Sequence, residues 1–115
     1  MKTSCFFTYQ GPGGISIARR APKLKTPFLA YRQLAPGSWF KSVSPEEYVL
    51  RYTAEILDKL SHAQVYFDLV KLAHPHEPVL LCWEQGKPND DQFWCHRRLV
   101  ARWFEEKFVI KVPEV

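Results

Sequence analysis

The first 45 residues contain no aspartate and no glutamate, although they contain seven lysines and arginines. Their charge is therefore +7, whereas residues 46–115 hold nine basic and twelve acidic residues, a charge of −3, and the two sum to the net +4. Cations without anions favour a phosphate-bearing small molecule or a nucleic acid as partner. The alternative is that these cations pair with the acidic helix that follows them, or are only solvated. The seven are Lys2, Arg19, Arg20, Lys23, Lys25, Arg32 and Lys41.

The chain also lacks an apolar run near the roughly 20 residues that span a bilayer, and the apolar stretch at its N-terminus is too short for a signal-peptide core. Its three cysteines (Cys5, Cys82 and Cys95) are an odd number and too few for a disulfide framework. These absences predict a cytoplasmic protein that does not enter a membrane and keeps its thiols reduced.

The chain has enough hydrophobic residues to form a core. Of the 115 residues, 46% are hydrophobic, so we expect one domain, residues 1–115, that folds without disulfide staples. Short apolar segments at 4–9, 15–19, 79–83 and 108–112 have the composition of strands. Helices between them favour crossover connections. The sequence therefore predicts a small three-layer α/β domain with a mainly parallel sheet of about four strands.

Three helices are predicted from capping signals and helical spacing. Ser44 is a candidate N-cap with Pro45 at the first helical position, and Ser61 is a candidate cap for the next helix. Asp90 or Asp91 can cap a third helix over about residues 92–107. The apolar run "VLLCW", 79–83, is typical of a strand buried on both faces, which is the pattern of a parallel sheet.

Ligands of open α/β sheets bind beyond the carboxyl ends of the strands. Here that edge is expected to gather the loops after Tyr9, Arg19 and Cys82. Cys95, His96 and Arg97 are placed at the start of the following helix, where free N–H groups and the helix dipole favour an anion or a thiolate.

Four interpretations of this motif remain open. It is an anion pocket, a thiol site at Cys95, a metal site of Cys82, Cys95 and His96, or a structural cluster in which Arg97 pairs with Glu84. The spacing Cys-x12-Cys matches no standard zinc knuckle, so no metal or other cofactor is predicted. Free cysteines are often buried, so Cys82 is expected to be a core residue.

The leading hypothesis is an anion-binding protein for a nucleotide or nucleic-acid phosphate. The alternatives are a thiol-dependent enzyme that uses Cys95 and a basic-faced protein-interaction module. The candidate catalytic residues are Cys95, His96 and Glu84, and the candidate ligand-binding residues are Arg19, Arg97, Cys82, Arg98 and Trp94. Trp94 is included because its position beside Cys95 suits stacking on a base.

The motif "VLLCWEQ" followed by "FWCHRRLV" resembles the hallmark of the domain of unknown function 488 family, in which Leu-Leu-Cys-x-Glu ends a strand and Cys-His-Arg opens a helix. It falls here on Leu80, Leu81, Cys82, Glu84, Cys95, His96 and Arg97. Thr8 with Gly11, Arg19 with Pro22, and Leu34 to Pro36 resemble further parts of the pattern. Many relatives have an acidic residue where Ala18 stands. The resemblance implies an α/β fold with the motifs meeting at one sheet edge, and no established activity.

Overall fold

The computed structural model describes residues 1–23, 28–84 and 95–115. Its four strands are β1 (Lys2–Cys5), β2 (Gly14–Ser16), β3 (Leu29–Ala30) and β4 (Val79–Cys82). Its α-helices are α1 (Pro45–Glu55), α2 (His62–Ala73) and α3 (His96–Phe108). Short 3-10 helices span Arg32–Leu34, Ser38–Lys41 and Leu57–Lys59.

All neighbouring strands of the sheet are parallel, in the order β1-β4-β2-β3. The α/β class with a four-stranded parallel sheet is thus confirmed. Strand β4 lies between β1 and β2, and its four residues are buried, as its continuous apolar sequence predicts. Cys5 and Cys82 are register partners at the carboxyl ends of β1 and β4, so the cysteine motif lies at the predicted edge.

The first two helices begin where their capping residues predict. The Ser44 hydroxyl accepts a hydrogen bond from the Glu47 amide, with a proline in the first turn, and the Ser61 hydroxyl accepts one from the Gln64 amide. Each satisfies an amide that the helix itself leaves unpaired.

The third helix begins later than predicted. Cys95 has extended backbone angles (φ −155°, ψ 164°) and is the N-cap of α3, so no helix runs through it from residue 92. The proposed caps Asp90 and Asp91 lie outside the described residues. At its other end α3 continues to Phe108, whose ring lies 6.1 Å from that of Phe104.

Two strand predictions are wrong at the level of residues. Residues 108–112 do not form a strand, because α3 extends into them and Val109, with φ 53°, takes the left-handed conformation that ends a helix. The parallel contact with β1 comes instead from a bridge between Thr3 and Glu114. The strand predicted at 4–9 ends at Cys5, and β3 lies in the segment predicted to be irregular.

Side chains of the helices form one continuous core against Ile15, Ile17 and Leu80 of the sheet. The opposite sheet face has a smaller core, built around Val79 and Leu81 with Phe6 and Ala18. Tyr9, Ala21, Phe28 and Val115 cover it, so the third layer consists of loops and the C-terminal segment. No helix within the described residues is long and apolar enough to cross a membrane.

Candidate functional site

Three donor side chains meet where β4 ends and α3 begins. The sulfur atoms of Cys82 and Cys95 and a carboxylate oxygen of Glu84 all lie within 4.8 Å of one another. Cys82 and Cys95 are fully buried, whereas Glu84 is exposed. We call these three residues the cysteine cluster. The sequence prediction that a strand end would meet a helix start is therefore confirmed at this point.

Arg97 lies against the cysteine cluster and is itself completely buried. Its Nη1 donates to the Cys82 sulfur over 2.8 Å and to the Glu84 carbonyl over 2.9 Å. Helical spacing explains the burial, because Arg97 lies on the same face of α3 as Val100, Ala101 and Phe104. An arginine on this apolar face requires a carboxylate partner.

Glu114 is that partner. Its carboxylate accepts from Arg97 Nε over 3.0 Å and from Nη2 over 2.9 Å, a two-pronged geometry that suits a guanidinium. The Thr3 hydroxyl donates to the same carboxylate over 2.6 Å. The predicted partner of Arg97, the Glu84 side chain, is not what holds it in place; Glu84 contributes its backbone carbonyl.

The two thiols have different proton affinities. Burial, followed by the hydrogen bond and the charge of Cys95, raises the pKa of Cys82 well above its usual range. Burial also opposes ionisation of Cys95, but the Cys82 hydrogen bond and the Arg97 charge outweigh it and lower the pKa of Cys95. Because the two thiols are coupled, the pair loses its protons in two separate steps, and the negative charge left by the first disfavours the second.

Tyr48 of α1 is buried and interacts electrostatically with the three members of the cluster. Burial, together with the negative charges of Glu84, Cys82 and Cys95, raises the pKa of Tyr48. Its hydroxyl therefore stays neutral and able to donate a hydrogen bond. The sequence analysis missed both Tyr48 and Glu114, because neither lies near the cysteine motif along the chain.

His96 is not part of this group. It is buried, and its Nε2 lies 2.9 Å from the Ile17 carbonyl oxygen. Because a carbonyl only accepts, Nε2 carries the hydrogen. Burial lowers the pKa of His96, so the ring is neutral. Its hydrogen bond to the Ile17 carbonyl connects α3 with the end of β2. The interpretation as a metal site of Cys82, Cys95 and His96 is therefore wrong for His96.

The side chains of two other predicted ligand-binding residues, Arg98 and Arg19, hydrogen-bond to groups outside the cysteine cluster. Arg98 donates to the Thr3 hydroxyl over 2.9 Å and to the Val112 carbonyl over 2.7 Å, which ties α3 to the C-terminal segment. Arg19 is exposed and donates to the Pro36 carbonyl over 3.0 Å. Trp94 lies outside the described residues.

An aromatic surface adjoins the same sheet edge. Trp83, which follows Cys82, is 45% exposed, and its ring centroid lies 5.9 Å from that of Phe7, which is 48% exposed. The Trp83 indole N–H donates to the Arg20 carbonyl over 2.6 Å. The tryptophan available for stacking in the described residues is therefore Trp83. Because Trp83 directly follows the apolar run of a buried strand, the sequence could have distinguished it from the other tryptophans.

None of the described cations of the first 45 residues forms an ion pair with the acidic helix α1. Within residues 1–23, 28–84 and 95–115, Lys2 forms an ion pair with Glu77, while Glu47 of α1 pairs with Arg51 of the same helix. No carboxylate in these ranges forms an ion pair with the remaining cations there: Arg19, Arg20, Lys23, Arg32 and Lys41. All five are exposed.

Comparison of the chain with protein-family models, with curated proteins and with solved structures finds no match in any of the three. The resemblance of the cysteine motif to the domain of unknown function 488 family therefore stays a prediction.

Proposed function

We propose that the protein binds the phosphates of a nucleotide or a nucleic acid on an exposed basic surface. We define this basic surface by Arg19, Arg20 and Lys41, with the Trp83 and Phe7 rings at its border. The observation that supports the proposal is the lack of ion pairs to these cations among the described residues. Exposed cations that no described carboxylate neutralises are the electrostatic footprint expected of a protein with an anionic ligand.

The positions of two cations strengthen this argument. The Arg19 guanidinium carbon lies 5.8 Å from the centroid of the Phe40 ring, and Lys41 Nζ lies 5.4 Å from the same centroid. The Phe40 ring therefore restricts both cationic side chains to the same part of the surface, and phosphates bound there would interact favourably with both charges.

The aromatic border supports a ligand that has bases as well as phosphates. Arg20 follows Arg19, and its carbonyl fixes the Trp83 indole at one edge of the surface. Base stacking on exposed aromatic rings next to a basic groove is the usual mode of binding for single-stranded nucleic acids and nucleotides. Arg97 and Arg98 have internal partners, so the proposal assigns the phosphate to exposed cations rather than to the helix start.

The test is a titration of a labelled single-stranded oligonucleotide at several salt concentrations, followed by competition with ATP. We expect wild-type binding to weaken with salt, and Arg19→Ala, Arg20→Ala and Lys41→Ala to weaken it further. Removing one cation that binds a phosphate should reduce the log–log salt slope by about 0.7. Competition by ATP at similar concentration identifies a nucleotide ligand, and failure of ATP to compete identifies a nucleic acid.

Lys107→Ala is the matched control. Lys107 is exposed in the last turn of α3, and α3 begins at the carboxyl edge of the sheet, so this residue lies at the other end of the helix. Its removal deletes the same charge away from the basic surface. Salt-independent binding, or an equal loss in Lys107→Ala and Lys41→Ala, would contradict the proposal. Copurification with an acidic protein and with no nucleotide would instead support the interaction-module alternative.

A further inference from the structure

The three residues of the cysteine cluster have no part in the proposed phosphate site. It joins two thiols from different elements, Cys82 at the end of β4 and Cys95 at the cap of α3, with the carboxylate of Glu84. Within the part of the chain that the structure describes, it is the one group of three such side chains whose donor atoms all approach within 4.8 Å.

We propose that Cys82, Glu84 and Cys95 bind one Zn²⁺ ion. Two sulfurs at about 2.3 Å from an ion in tetrahedral geometry lie roughly 3.8 Å apart, so donor atoms already within 4.8 Å need only a small movement. Two thiolates select a soft or borderline ion and disfavour Mg²⁺ or Ca²⁺. This inference is independent of the proposed phosphate binding, since no residue is shared.

The surroundings of the cluster have the features of an outer shell around a metal–thiolate site. Such sites hold their ligands with hydrogen bonds from neighbouring side chains. Arg97 Nη1 donates to the Cys82 sulfur and, at the same time, to the Glu84 backbone carbonyl. It therefore holds the Cys82 sulfur directly and the Glu84 backbone from which the carboxylate ligand extends, and Glu114 fixes the guanidinium that does so.

Three protein ligands leave the fourth tetrahedral position to water or a ligand. This is the ligand count of catalytic zinc sites, whereas structural zinc sites have four protein ligands. Glu84 is exposed while both sulfurs are buried, so the carboxylate lies on the solvent side of the cluster. The ion would therefore be reached from that side.

The experiment uses the whole chain, dialysed against Zn²⁺ with elemental analysis, and the same chain titrated with Co²⁺. We expect one Zn²⁺ per chain. Cobalt should give the strong visible absorption of a tetrahedral site, with sulfur-to-cobalt charge-transfer bands. Cys95→Ser and Cys82→Ser should lose those bands. Glu84→Gln should bind at least about 10-fold more weakly, since losing even an outer-shell partner weakens metal affinity roughly 10- to 100-fold.

Cys5→Ser is the matched control. Cys5 is buried, is the register partner of Cys82, and has its sulfur 3.1 Å from the Thr8 hydroxyl oxygen. Like the two ligands it is a buried cysteine, but it is not a member of the cluster, so Cys5→Ser should keep the ion and the bands.

The proposal is overturned if the wild type retains no Zn²⁺, if Cys95→Ser keeps the charge-transfer bands, or if Glu84→Gln binds as tightly as the wild type. Circular dichroism checks that the serine variants fold. Should they not fold, Glu84→Gln decides, because its side chain is exposed. A metal-free chain whose Cys95 is alkylated rapidly would instead support the thiol-enzyme alternative. Repeating the oligonucleotide titration with a chelator present keeps the two proposals separate.

Discussion

Arg97 and Glu114 form a buried ion pair in which the guanidinium and the carboxylate meet at 2.9 and 3.0 Å. The Arg97 side chain is fully buried and that of Glu114 is 11% exposed. The pair connects the first turn of α3 with the C-terminal segment, and the remaining Arg97 donors reach the cysteine cluster. The Arg97 side chain therefore contributes both to the stability of the fold and to the candidate site.

We expect Glu114→Gln to lower the free energy of unfolding by roughly 2–4 kcal/mol, because the substitution leaves a buried guanidinium without its counter-charge. Urea denaturation measures the change. Glu47→Gln is the control, since Glu47 meets Arg51 at 3.9 Å on the exposed face of α1, and its loss should be below about 0.5 kcal/mol. Equal losses in the two variants would show that burial does not strengthen the Arg97 pair.

Asp68 is expected to make stability depend on acidic pH. Hydrogen bonds from the Tyr31 hydroxyl, at 2.7 Å, and from Gln64, at 2.8 Å, lower the pKa of Asp68. A carboxyl whose folded pKa is depressed stabilises the fold fully above its unfolded pKa, near 3.9. That contribution is lost as the pH falls through the lower folded value.

Tyr31→Phe should therefore raise the pKa of Asp68 towards its usual value and flatten the fall of stability below about pH 4. A carbon-detected NMR titration of the carboxyl groups measures the pKa directly. The control is Tyr9→Phe, because the Tyr9 hydroxyl donates to the Pro12 carbonyl and meets no carboxylate there. An Asp68 pKa that is the same in wild type and Tyr31→Phe would rule out this hydrogen bond as the cause.

The contributions of base stacking and of charge to nucleotide affinity should be separable by substitution. If Trp83 and Phe7 stack on bases, Trp83→Leu and Phe7→Ala should each weaken binding roughly 5- to 150-fold, which corresponds to about 1–3 kcal/mol per base. The salt slope should not change, since no cation is removed. Phe67→Ala removes a ring on α2 that is more exposed (61%). The affinity of Phe67→Ala for the nucleotide should match that of the wild type. A loss of affinity in this variant would indicate nonspecific apolar binding.

Local signals account for the parts of the fold that the sequence predicted. Ser44 and Ser61 precede helical spacing and cap helices within three residues of themselves. Cys82 lies at the end of a continuous apolar run, which favours a buried parallel strand. These features depend on neighbours in the chain, so they can be recognised without knowing the tertiary structure.

The rest depends on contacts between distant segments. Nothing near Arg97 indicates that its carboxylate is Glu114, because the turn at Val109 must first bring the C-terminal segment back beside β1. His96 suits catalysis by its residue type, yet the Ile17 carbonyl, 79 positions away, binds its Nε2. The meeting of the β4 end with the α3 start was therefore predicted correctly from the sequence, while the partners of the polar groups there were not.

The parallel bridge between Thr3 and Glu114 has a consequence for the order of events during synthesis. The two residues are 111 positions apart, and both neighbours of β1 in space, β4 and the segment around Glu114, are translated long after it. Contacts of such long range form slowly and leave their partners exposed to misassociation. On the ribosome, β1 therefore stays unpaired at least until β4 (Val79–Cys82) has been made, and the cysteine cluster is completed only when Cys95 has followed.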